Sequence, residues 1–167
     1  MKTIESGDSC QSFAPTGDTE TPQILILGSM PGVESLRQGQ YYAFKHNSFW
    51  RIAGILFDFD CRIDYASRIS ALKNRHVALW DVFQFCRRSG SADANIRAAI
   101  PNDLKSFIGS RPTIKVVLGN GSAAGSGFRR YFSEYTHLLR QVPSTSPAAA
   151  RLSFDEKLAK WRAALQL

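Results

Sequence analysis

Residues 23–32 read "QILILGSMPG". The run from Gln23 to Gly28 is almost wholly apolar and stops at a glycine. A half-exposed strand would alternate apolar and polar residues; a strand covered on both faces need not. "HVALWDV" at 76–82 and "TIKVVLG" at 113–119 share the pattern, and "HLLRQV" at 137–142, stopped by Pro143, is a fainter fourth. Helical patterns lie between them. Asn47 or Ser48 can cap a helix carrying Phe49, Trp50, Ile52, Ala53, Leu56 and Phe57. Asp64 to about Lys73 reads as a second helix. Pro101, at a first-turn position, opens a third with Leu104, Phe107 and Ile108 on one side. Gly121 to Phe132 is a fourth. Ser153 caps the last, whose Phe154, Leu158, Trp161 and Leu165 form an apolar stripe. Strands alternating with helices predict an α/β fold with a mainly parallel sheet.

The chain has 167 residues, enough for one domain with a sizeable core. Residues 1–22, rich in Ser, Thr, Gly and Pro, read as a loose lead-in, and 23–167 as the single domain. Lysines and arginines outnumber acidic residues by 21 to 14, a net charge of +7. That surplus favours an anionic partner such as nucleic acid and is silent about fold. Cys10, Cys61 and Cys86 are odd in number and far apart, with no CxxC pair. Neither a disulfide framework nor a zinc site is indicated, and reduced thiols in the cytoplasm are expected. No apolar run reaches membrane-spanning length, and the first residues lack the basic-then-apolar order of a secretion signal.

In open α/β sheets, ligands bind beyond the carboxyl ends of the strands. The segments leaving those ends are "GSMPGVES…YYAFKHNSFW", "WDVFQFCRRSGSADANI", "GNGSAAGSG" and "PSTSPAAA". The first offers backbone N–H groups freed by glycine, aromatic faces at Tyr41, Tyr42 and Phe44, and the amide of Asn47. Aromatic faces stack on flat rings, and an amide can bond a base edge or hold a water. The hydroxyls and arginines of "CRRSGS" and "PSTS" suit phosphate contacts. Each feature has a plain alternative. "GSMPG" lacks the Lys-Ser/Thr ending of a P-loop and the third glycine of a dinucleotide fingerprint. Phe49 and Trp50 can be core, Asn47 only a helix cap, and Asp81 a turn residue. His46 has no partner at metal-ligand spacing, so no metal is expected. Ser144 and Ser146 lack the elbow of a serine hydrolase.

In order, "LILGSMPGVESLRQGQYYAFKHNSFW", "ALWDV" followed by "SGSADANI", "VVLGNGSAA" and "PSTSPAAA…EKLAKW" resemble the motifs of the hypoxanthine-DNA glycosylases, within the uracil-DNA glycosylase superfamily. The resemblance covers roughly residues 12–165. It implies a three-layer α/β/α sandwich around a four-stranded, mainly parallel sheet. It further implies a monomer without cofactor, working beside the nucleoid of a prokaryotic cell. Such an enzyme flips a deaminated nucleotide, hypoxanthine or uracil, out of DNA and hydrolyses its N-glycosidic bond. Residue by residue, Asn47 corresponds to the catalytic asparagine and Tyr42 to the aromatic that stacks on the flipped base. Gly28, Ser29 and Met30 belong to the base-binding loop, and Asp81 stands where relatives place a base-edge reader. Ser89, Ser91, Ser144, Thr145 and Ser146 match segments that hold the DNA backbone. Residues 146–149 would enter the gap left by the base.

The chain departs from the family pattern at three places. Met30 fills the position where many superfamily members carry a water-activating Asn or Asp. Phe44-Lys45 replaces the usual His-Pro, and Ala149 stands where Asn is common. No lysine matches a Schiff-base position, so strand-cleaving lyase chemistry is not expected. Two alternatives stay open at this point: a non-catalytic nucleic-acid-binding module with Met30 marking a dead site, and a hydrolase of free nucleosides.

Overall fold

A computed structural model describes residues 7–166. The main sheet is built from the apolar runs. β3 (Ile24–Gly28) lies between β4 (Val77–Asp81) and β7 (Val116–Asn120), and β8 (Leu139–Val142) lies outside β7, all four parallel. Side chains along β3 point alternately to two apolar layers. Leu25 and Leu27 pack on one side, Ile26 on the other, and all three are fully buried. That two-sided burial explains the unbroken apolar run.

α2 (Phe49–Phe57), α3 (Tyr65–Asn74) and α6 (Phe154–Ala164) contribute to one layer. α4 (Leu104–Gly109) and α5 (Ser122–Tyr131) contribute to the other. Asp64 caps α3 through the Ser67 N–H, and Asp103 caps α4 through the Ser106 N–H. Ser153 and Glu156 form a reciprocal capping box on α6, so the Ser153 hydroxyl contributes about 1 kcal/mol. The Trp161 indole donates to the Pro143 carbonyl and ties α6 to the segment after β8.

Four features differ from the sequence expectations. The main sheet has a fifth strand, the two-residue β2 (Thr16–Gly17), antiparallel on β4. Part of the expected lead-in is therefore paired, as is β1 (Asp8–Gln11); residues 1–6 lie outside the described residues. β1, β5 (Phe83–Arg88) and β6 (Arg97–Pro101) form a separate antiparallel sheet where only a loop was expected after β4. Pro101 ends β6 rather than opening a helix, which starts after Asp103. A short helix, α1 (Val33–Gln38), occupies the middle of the first loop.

The parallel register sets the site. Gly28 pairs directly with Asp81, and Asn120 with Val142, so both pairs stand at the carboxyl edge of the sheet. The Asn102 amide donates to the Asp81 and Phe83 carbonyls and fixes the chain as it leaves β4.

Candidate active site

The four segments beyond the strand ends are bonded to one another. Asn120 is the hub. Its side-chain carbonyl accepts from the Thr145 N–H at 3.0 Å. A main-chain N–H can only donate, so this contact fixes the orientation of the amide. The NH2 then donates to the Thr145 hydroxyl at 3.0 Å and the Tyr42 hydroxyl at 3.2 Å. The Thr145 carbonyl in turn accepts from the Ser48 N–H and hydroxyl. Three loops are thereby held on one buried amide. The second segment is tied to the first as well. The Ser29 hydroxyl donates to Asp93, Val33 N–H donates to the Ser91 hydroxyl, and the buried Arg88 donates to the Pro31 and Gly90 carbonyls.

Tyr42 sits at φ 55°, a left-handed conformation that costs a residue with a side chain roughly 1–3 kcal/mol. Its ring stacks on Phe49 at 4.0 Å between centroids and 24° between planes. Together with the hydroxyl bond to Asn120, this fixes the plane and position of the ring. Burial and the nearby Asp81 hold the phenol well above the usual tyrosine range.

Gly28, Tyr42 and Asp81 converge. A Cβ on Gly28 would lie 2.5 Å from Asp81 Oδ1 and 3.3 Å from the Tyr42 hydroxyl. Only a glycine leaves this close approach open. Gly28→Ala is expected to displace the Asp81 carboxylate and lower activity at this site on the order of tenfold. Overpacking of this kind costs roughly 1–3 kcal/mol. A thermal melt beside a single-turnover assay separates the two effects; an alanine variant with wild-type rate would show that the close approach at Gly28 is not used.

Asp81 is 3% exposed. Burial foremost, then the charge of Asp93, raises its pKa to about 7, against the opposing pull of Arg88. Asp81 Oδ2 and Arg88 Nη1 are buried without hydrogen-bond partners, the kind of group a bound ligand satisfies.

At the far end of the first loop, Asn47 Oδ1 accepts from the Phe49 N–H at 2.9 Å and so closes the start of α2. The helix-cap reading of Asn47 is therefore correct in part. A carbonyl oxygen has two lone pairs, however, so this bond leaves room for a water. The neighbouring Ser48 holds the segment to Thr145.

Several expected site residues are placed differently. Met30 is buried in the core cluster and offers a base no side chain. Thr145 is 1% exposed and spends its hydroxyl on Asn120, so it organises the loops instead of meeting phosphate. Arg88, read as a phosphate contact in "CRRSGS", is a buried clamp. Ser144 and Ser146 accept from the Ser146 and Ala148 N–H groups and keep their own protons for a partner. Ser89 is exposed; Ser91 is also exposed but already holds α1. Asn120, Asp93 and Arg88 were given no such roles by the sequence; for Asn120, the one signal was an amide at the end of an apolar run.

The chain matches a known family. The family model described as Uracil DNA glycosylase superfamily matches residues 14–166. The chain belongs to this superfamily. A hypoxanthine DNA glycosylase of Methanosarcina barkeri is 35% identical over 163 residues, covering 93% of this chain and 98% of that protein. One from Methanosarcina acetivorans is 34% identical over 152 residues, covering 86% and 90%. The solution NMR structure of a candidate uracil DNA glycosylase from Methanosarcina acetivorans superposes with a TM-score of 0.81 at 31% identity, covering 93% of this chain and 96% of that one. Superfamily membership accounts for the α/β/α layering around the parallel strands. Among the described residues no helix is long and apolar enough to cross a membrane, and no group of three or more His, Cys, Asp or Glu could hold a metal ion.

Proposed function

We propose that this protein is a monofunctional DNA glycosylase of base-excision repair that releases hypoxanthine, and uracil as a second substrate, from DNA. The observation that carries the reading is the convergence of Gly28, Tyr42 and Asp81 at the carboxyl edge of the sheet, with Ser48, the neighbour of Asn47, tied to the same hub through Thr145. A base inside a duplex cannot reach a carboxyl as buried as Asp81, so the nucleotide must be flipped out. Tyr42 then stacks on it, and Asp81 meets its polar edge. The C1′–N bond breaks with its electron pair leaving on the base, which gives an oxocarbenium-like sugar. A water oriented by Asn47 adds to C1′, the proton it gives up neutralises the base anion, and the products are free base and an abasic site. The amide is a weak base, but the electrophile is reactive; positioning therefore carries most of the rate. Ser144 and Ser146 steady the backbone through their hydroxyl protons, with Ser89 as an exposed third contact.

The test is an excision assay on duplexes carrying one hypoxanthine or one uracil, with alkali to reveal abasic sites. Release of free base with strand scission only after alkali supports the reading. Hydrolysis of free inosine without action on DNA would overturn it.

Asp81 gives a pH signature. Below about 7 the carboxylic acid can donate a hydrogen bond to the base; above it, the carboxylate opposes the negative charge growing on the leaving group. Excision is expected to fall as pH rises through about 7, and Asp81→Asn should flatten that limb. The stability sign follows from the same shift. The folded pKa lies above the ordinary value, so the unfolded chain gives up this proton first. The contribution is full below about 4 and is lost as pH rises towards about 7. Chemical denaturation across that interval checks it: wild type should weaken, Asp81→Asn should not.

A further inference from the structure

Lys157 on α6 has no part in the site described above. It is 6% exposed, and its ammonium donates to the Ser146 carbonyl at 3.3 Å. Among the described residues it forms no ion pair with a carboxylate. A buried cation held by one carbonyl is costly unless something anionic meets it. Burial lowers its pKa accordingly.

Lys157 lines a cleft of about 550 Å³ behind the 144–146 turn. Arg151 and Lys160 line the same cleft, and no acidic residue does. Gly121 and Ser122, the start of α5, form another wall. That helix start has no side-chain cap and no acidic residue in its first turn. Gly121 has φ 91° and its Cβ position lies 3.0 Å from Ser144 Cβ, so only glycine brings the helix start against the turn. Three basic residues and the uncapped start of α5 thus line one space, with no acidic residue among them. Helix starts and amines together select a phosphate group.

We propose that this cleft seats a phosphodiester of the DNA strand as it passes the 144–146 turn. The assignment rests on DNA being the substrate. It extends the backbone contacts from the serine hydroxyls of the turn to the amines of α6. Lys157 then has two tasks: it braces the turn through the Ser146 carbonyl, and it neutralises the phosphate behind it.

The experiment uses the full chain and a duplex containing a stable abasic analogue, so that affinity is read without excision. Fluorescence anisotropy over a salt series gives the slope of log affinity against log salt. Each phosphate contact contributes roughly 0.9 to that slope, so Lys160→Ala is expected to lower it by about that amount. Single methylphosphonate groups, scanned along the strand, then locate the phosphate. One position should weaken wild type roughly tenfold and cost Lys160→Ala and Lys157→Met nothing further, as expected where both changes remove one contact. Melting curves report whether Lys157→Met is folded, and the exposed Lys160→Ala carries the test if it is not. Equal losses at every position in wild type and Lys160→Ala would overturn the proposal. So would stabilisation of wild type, but not Lys160→Ala, by inorganic phosphate without that coupling, since the cleft would then be a small-anion site. Failure of the glycosylase reading would instead appear as wild type that binds this duplex but releases no base.

Discussion

Asn47→Ala should lower single-turnover excision by roughly 10²–10⁴-fold, the range for a lost proton-handling or water-orienting group. Affinity for an abasic-analogue duplex should stay close to wild type. The difficulty is that Asn47 also closes α2 through the Phe49 N–H. Losing this bond to the first N–H of α2 costs about 1 kcal/mol of stability, and the alanine variant alone would not separate helix closure from catalysis. Serine does. Asn47→Ser keeps a good capping oxygen and loses the amide that reaches the water. If the asparagine acts on water, the serine variant melts like wild type and remains slow. If it acts only as a cap, the serine variant recovers both. Asn47→Asp is the complementary probe, since it caps well and can accept the water's proton. It should retain more activity than alanine at neutral pH and lose that advantage as the carboxylate is protonated. Wild-type rates in both Asn47→Ala and Asn47→Ser would remove Asn47 from the mechanism.

The layers of the fold were legible because burial on both faces leaves an unmistakable mark on a short strand. Ile24–Gly28, Val77–Asp81 and Val116–Asn120 carry it. The second sheet was not legible. β1 buries a single residue, Cys10, and register shifts along β5 break the two-residue alternation that would have identified it. The site divides in the same way. That Gly28, Tyr42 and Asp81 lie together could be read because each stands at a strand end or in a motif that leaves one. Arg88, Thr145 and Lys157 could not, because each is defined by a distant carbonyl or amide that it meets only in the folded chain. An arginine in "CRRSGS" looks the same in sequence whether it reaches phosphate or the Pro31 carbonyl.

Asn120 is the strongest case of this second kind, and removing it should produce the largest combined loss. Asn120→Ala leaves the buried Thr145 N–H without its acceptor and frees both the Thr145 and Tyr42 hydroxyls. An unsatisfied buried donor costs roughly 1–3 kcal/mol, and a melting temperature lower by several degrees is expected. Activity should fall further than stability explains. Tyr42 holds a strained backbone at φ 55°, and without the hydroxyl bond the ring is held by apolar packing alone, against Phe49 and Tyr41. Asn120→Asp distinguishes loop order from electrostatics. One carboxylate oxygen still accepts from the Thr145 N–H, and the other can accept from both hydroxyls, so the geometry survives. What changes is charge, introduced against the Tyr42 hydroxyl and, on the proposed mechanism, close to a base that gains negative charge as it leaves. The aspartate variant should therefore melt closer to wild type than the alanine variant at acidic pH, where the carboxyl is protonated. Its excision should weaken as the group ionises. If Asn120→Ala keeps wild-type excision despite a lowered melting temperature, the hub serves the fold alone. Tyr42 would then need no help in meeting the base.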